Sequence, residues 1–347
     1  MPDSSPPRQW LLALACMPAL LIILLFGLFT GQLGSSLIAL GGAFTVGFGA
    51  FKKFSDYPLA PMVIVTLGIS GSAWLGSLAG NHLASMLLVA ALWAALCAWM
   101  VAVEDALWWI VLQWAITLFV AGAYPGGLAQ ADHRALMVLA GGAVQVATFT
   151  CFQKALYRAQ WTLRHHAVRA NWQRIRSDFQ DHFRLRRYGL YAASVVVLCL
   201  LVVHLTGLRY GYWAPMTALI ILKLHPRDTL NKGVQRLLGT LGGCLVATLI
   251  ARLDAGFGVL ACASLASAYI AYGLQNGRYS VFTVFVTATA VLTVALGGTP
   301  EWQAALERAV ATLLGGGLAI CLLAFETWLA GRLHPRRRTP DGPAIDG

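Results

Sequence analysis

The sequence predicts an all-α, polytopic membrane protein with about twelve transmembrane helices, arranged as two six-helix halves that each contain inverted three-helix repeats. Four observations lead there. Apolar runs of about 20 residues, long enough to cross a hydrocarbon core, recur almost end to end. Of the 347 residues, 58% are hydrophobic and only 11% charged, with a mean hydropathy of +0.68. The longest polar interval, Arg158 to Arg187, is too short to bury a core of its own, so no soluble domain is left over. Finally, a pattern of arginine, a β-branched residue, leucine and glycine returns in spans set three apart.

Hydropathy and helix breakers place the spans at residues 10 to 29, 33 to 51, 59 to 80, 83 to 103, 106 to 124, 135 to 157, 188 to 207, 211 to 224, 233 to 252, 255 to 273, 279 to 298 and 303 to 329. The first follows a lone Arg8 and is too long, and too poor in small residues at its end, for a cleaved signal. The eighth is short. Its Pro215 would leave backbone carbonyls that can be tolerated at membrane depth only inside protein or beside water. A polar turn, His225-Pro226-Arg227-Asp228-Thr229, then leads into the ninth span, with Asp228 expected as its N-cap. That span carries Lys232, Arg236, Thr240 and Gly243 at spacings of four, four and three, which stack on one helical face. The seven cysteines all fall in apolar runs without a Cys-x-x-Cys pair and are expected to pack, with no disulfide framework or metal site.

Four regions follow: residues 1–157 as the first half, 158–187 as a linker, 188–330 as the second half, and 331–347 as a basic, disordered tail. Val168, Trp172, Ile175, Phe179 and Phe183 share one face of the linker against an arginine-rich remainder, which predicts an amphipathic helix on anionic inner-leaflet lipid; a disordered connector is the alternative. Placing both termini and the linker in the cytoplasm puts roughly 21 of the 25 Lys and Arg on the inner side. The net charge of +11 is accordingly read as topology and lipid attraction, and nucleic acid is not expected as a partner.

The repeat comprises Arg134 to Gly141, Arg236 to Gly243 and Arg308 to Gly315, in the sixth, ninth and twelfth spans. Units of three spans are odd-numbered, so successive units enter the membrane from opposite sides. The third span, where a fourth copy belongs, has Thr66 but Met62 at the arginine position. Arg134 and Arg308 lie toward the outer face, where cations are not expected as anchors, and each adds positive charge near a helix N-terminus. An anion would resolve the conflict, with Arg236 and Arg308 bracketing its path and Thr240 and Thr312 on the same faces. Gly141, Gly243 and Gly315 are expected to serve close helix approach.

Other candidates carry two readings each. Tyr212 and Trp213 suit either an interfacial aromatic belt or stacking on an aromatic solute. Pro215 and Thr217 could present backbone groups to a solute. His204 suits either proton relay or packing, and Glu326, an acid in the terminal apolar run, either proton coupling or the inner interface. Glu307 adjoins Arg308 in sequence, but about 100 degrees separates them on the wheel, so no direct pair is expected. No Walker sequence, metal-ligand spacing or nucleophile elbow is present, so neither an enzyme nor a cofactor is expected.

Tyr212-Trp213-Ala214-Pro215-Met216-Thr217-Ala218, Pro226, and Arg236 followed by Gly239-Thr240-Leu241-Gly242 resemble the fusaric acid resistance (FUSC) and aromatic acid exporter family of bacterial inner-membrane proteins. The resemblance is specific over residues 188 to 329 and looser over 10 to 157, where Ala39-Leu40-Gly41-Gly42-Ala43 looks like the family's first half. It implies export of organic, often aromatic, carboxylates driven by the proton gradient. The module also looks like the plant aluminium-activated malate transporters, which implies the alternative of a passive anion channel; a membrane-embedded assembly partner is the third reading. The implied partners are a small organic anion, membrane lipid, and a second copy of the chain or a periplasmic adaptor. The linker is shorter than in larger members, and no sizeable cytosolic domain is expected after the second half.

Overall fold

The computed structural model describes residues 6–52, 59–101, 103–156, 182–223, 226–252 and 256–333. Within them the chain is all-α. Its helices are α1 (Pro6–Thr30), α2 (Leu33–Gly47), α3 (Ala60–Ala79), α4 (Leu83–Val101), α5 (Asp105–Gly122), α6 (Leu128–Leu156), α7 (His182–Thr206), α8 (Trp213–Ile221), α9 (Pro226–Ala251), α10 (Phe257–Gly273), α11 (Tyr279–Leu296) and α12 (Glu301–Leu333). Ten of these, among the described residues, are long and apolar enough to cross a membrane. The linker's predicted amphipathic helix lies outside the described residues up to His182, as does the tail beyond Leu333.

The eighth span is corrected. Helix α8 has only nine residues, all buried, and at 1.5 Å per residue it covers about 14 Å, half a bilayer core. Pro215 sits in its first turn, where the missing N–H has no intrahelical partner to lose, so the proline starts this helix and breaks nothing. At the other end the chain turns extended at Leu222. The Thr229 hydroxyl accepts from the Lys223 N–H at 3.0 Å and sits 3.3 Å from the Lys223 carbonyl, closing the broken end with protein groups. Helix α10, at 17 residues, falls just short of the ten membrane-long segments, among which α2 is continued to Phe51 by a 3-10 turn. Asp228 is inside the first turn of α9 and does not cap it.

Helix α3 packs on α5 and α6, α2 on α6, and α4 on α5; α9 packs on α11 and α12, α8 on α12, and α10 on α11. Each pairing in the first group recurs six helices later in the second. The two groups meet where α4 lies on α7 and α1 on α10, with α5 against α8. Lipid is as apolar as leucine, so such contacts depend on close fit more than on hydrophobicity. Gly141, Gly243 and Gly315 provide it: a Cβ at these positions would fall on the main-chain carbonyls of Ala39, Val284 and Ala214. Of the cysteines, Cys16, Cys97, Cys199 and Cys244 are buried, whereas Cys151, Cys262 and Cys321 lie on the outside of the bundle and do not pack as expected.

Gly315→Val should therefore cost at least about 2 kcal/mol of stability by forcing α12 off α8. Gly317→Val, where a Cβ meets nothing within 4 Å, should be neutral. Thermal melts of the two variants in the same detergent compare them directly.

Candidate anion site

The polar face of α9 points into the protein. Arg236 is 4% exposed and Arg308, on α12, 3%. Thr240 and Thr312, one turn further along each helix, are buried with them. The face is completed by α11, which brings Tyr279, Thr283 and Thr287, spaced four apart, against α9. Gly239 and Gly243 allow the approach, because a Cβ on either would lie 2.5 to 2.6 Å from Cβ of Thr283 and Thr287 respectively.

Among the described residues neither arginine has a carboxylate partner. The Arg308 guanidinium makes one long hydrogen bond, Nη2 to Thr287 Oγ1 at 3.5 Å, and stacks over the Trp213 ring at 4.6 Å. Five polar atoms in the same region are buried without a partner: Nε of Arg236, Nε of Arg308, Oγ1 of Thr240, Oγ1 of Thr283 and the Tyr279 hydroxyl. A buried, unpaired polar group costs about 1–3 kcal/mol, and more when charged. Two cations and three hydroxyls are thus gathered among the described residues without a carboxylate, an arrangement whose charge and donors are complementary to an anion. Glu307 does not supply it: its carboxylate accepts from the Tyr210 main-chain N–H at 2.8 Å and the Gln303 amide at 3.1 Å.

Aromatic side chains close the end of the cluster where α12 begins. Tyr210 stacks on Trp213 at 5.5 Å, Tyr212 meets Trp213 edge-on at 5.2 Å, and Tyr124 reaches Tyr212 at 6.3 Å. Tyr212 and Trp213 are buried, so the interfacial-belt reading of them is corrected. Thr217, one turn beyond Trp213 on α8, is buried too.

The remaining candidates are elsewhere. Arg134 is half-buried at the start of α6, and its Nη1 donates to Ser77 Oγ at 2.5 Å, to the Ala121 carbonyl at 3.3 Å and to the Tyr124 carbonyl. It ties the end of α5 to α3 and α6 and does not join the buried pair. His204 is exposed near the end of α7, which fits neither packing nor a relay inside this cluster. Glu326 lies on α12, but its side chain is outside the described residues. Met62, at the missing arginine position, is fully buried. Sequence reasoning missed Tyr279, Thr283 and Thr287, although their spacing within an apolar run was a legible polar stripe.

Residues 198–322 match the protein family described as fusaric acid resistance protein-like, so a FUSC-like domain occupies this part of the chain. The matched segment contains both buried arginines and every threonine of the cluster. A stretch of 152 residues is 31% identical to an uncharacterized protein of Synechocystis sp., covering 44% of this chain and 20% of that one. Another of 148 residues is 25% identical to an uncharacterized protein of Neisseria gonorrhoeae, covering 43% and 36%. Inner membrane protein YccS of Escherichia coli is 23% identical over 154 residues, covering 44% and 21%. The chain thus spans between a fifth and about a third of the length of these relatives. No solved structure matches it.

Proposed function

We propose that the chain is the membrane module of a bacterial inner-membrane exporter of organic, aromatic carboxylate anions, coupled to the proton gradient. The observation that carries this is the buried Arg236 and Arg308 pair without a carboxylate. Intramembrane cations usually mark a pathway or a partner, and a planar guanidinium suits a carboxylate through paired hydrogen bonds. Tyr210, Tyr212 and Trp213 make the Arg308 end of the cluster aromatic, which suits a carboxylate that carries a ring. The match to a fusaric acid resistance protein-like family supports an aromatic acid as cargo.

In this reading residues 1–157 and 188–330 are two six-helix halves, each an inverted pair of three-helix units. The recurrence of helix pairings six helices on supports it. The first half has kept the scaffold but not the site, since Met62 stands where Arg236 stands in the second and Arg134 is engaged by carbonyls. Both termini face the cytoplasm, so α9 and α11 begin at the inner side and the aromatic layer covers the outer. Proton coupling falls to Glu326, since exposed His204 stands apart from the cluster. The E. coli relative, an inner membrane protein by name, supports an inner-membrane location.

The test is flux of radiolabelled benzoate in reconstituted vesicles with and without an imposed pH gradient. Accumulation against its own gradient, only when the pH gradient is present, is the expected result. Movement only down its gradient would turn the reading to a passive anion channel, and no protein-dependent movement of benzoate would overturn it.

A further inference from the structure

At the end where α9 and α11 begin, a cleft of about 320 Å³ opens, lined by Lys223, Asp228, Asn231, Lys232, Gln235 and Tyr279. Its lining comes from the second half of the chain, and Trp108 of the first half lies against its two lysines. Lys223, after α8, lies over the Trp108 ring at 4.0 Å; Lys232, on α9, lies over Trp108 at 5.6 Å and Tyr279 at 4.7 Å. Lys52, after α2, lies over Trp109 at 5.4 Å. We propose that this cleft is a second oxyanion site, in which Lys223 and Lys232, with Lys52 behind them, take the carboxylate of the transported anion before it reaches Arg236. The proposal rests on the export reading for its choice of ligand.

Three observations carry it. The lysines are only partly compensated: Lys232 feels the like charges of Lys223, Lys52 and Arg236, against the carboxylates of Asp105 and Asp228. Burial also holds Lys52 and Lys223 below the usual lysine range, with Asp105 offsetting only part of that effect. Next, the cleft leads inward. Lys232 and Arg236 are one turn apart on the same face, and the buried Tyr279 hydroxyl, lining the cleft, has no partner. Lastly, the rings beneath the lysines are already covered by cations, so the cleft reads charge. A membrane phosphate offers the same oxyanion chemistry, and the experiment separates the two sources.

Initial rates of benzoate uptake would be measured in everted membrane vesicles containing the full chain. Lys223→Gln/Lys232→Gln should raise KM about tenfold, leave Vmax within about twofold, and flatten the fall of the subsaturating rate with salt that steering produces. Lys223→Arg/Lys232→Arg should keep the original KM, whereas Arg236→Ala should lose Vmax. An unchanged KM and salt dependence in the glutamine variant, with Arg236→Ala inactive, would overturn the cleft site and leave the export reading standing. A KM raised equally by the arginine variant would report packing, not charge, and overturn it too. If the wild type in zwitterionic lipid vesicles shows the glutamine variant's KM, the cleft serves a phospholipid headgroup and the proposal fails. No saturable uptake by the wild type would overturn both readings.

Discussion

Arg236→Met is expected to melt at a higher temperature than the wild type and to lose transport of organic anions. Methionine is what the chain itself places at the corresponding point of α3, where Met62 is fully buried. In α9 the arginine is buried with an unpartnered Nε and no carboxylate. An intramembrane arginine costs about 2.5–3.5 kcal/mol on insertion scales, and exchange of buried ionic groups for apolar ones of similar volume often stabilises by about 1–4 kcal/mol. Loss of a charge that contacts a buried anionic group costs about 2–5 kcal/mol, a fall in transport of roughly thirtyfold or more. Arg236→Lys keeps the charge without the planar fork and should retain part of the activity. The two measurements pull in opposite directions only if the arginine serves a ligand. A structural arginine would lower the melting temperature on removal, and that result, or full transport by the methionine variant, would remove Arg236 from the mechanism.

How far the sequence reached depends on the range of the interaction involved. Helical periodicity is local, so Lys232, Arg236, Thr240 and Gly243 could be set on one face from spacing alone, and the structure buries Arg236 and Thr240 there. The glycines were legible for the same reason. Hydropathy, by contrast, measures apolarity and not length across a membrane, which is why the nine-residue α8 looked like a full span. The Tyr279, Thr283, Thr287 stripe was available but quiet, because a threonine barely lowers the hydropathy of an apolar helix. Nonlocal facts were out of reach. Nothing in the sequence places Lys223 on Trp108, or turns Arg134 toward the carbonyls at the end of α5 while Arg308 goes to Trp213.

The largest kinetic prediction concerns access to the buried pair. Tyr210, Tyr212 and Trp213 cover Arg308 at one end, while the Lys232 cleft opens one turn from Arg236 at the other. A carrier must exchange that arrangement for one open at the aromatic end, whereas a pore need not. Cysteines would replace Thr240 and, separately, Thr312, in a background without native cysteines, and impermeant thiol reagents would be applied from each side. In a carrier, inner-side modification of Thr240→Cys and outer-side modification of Thr312→Cys should move in opposite directions when benzoate or a pH gradient is added. A shift of about tenfold in each rate corresponds to a redistribution of about 1.4 kcal/mol between two states, well within the differential affinity of a ligand. Trp213→Ala should raise the outer-side rate in the absence of substrate, since it removes the ring stacked on Arg308. Equal access to both cysteines from one side, indifferent to benzoate and to pH, would reject the carrier and leave an open anion pore.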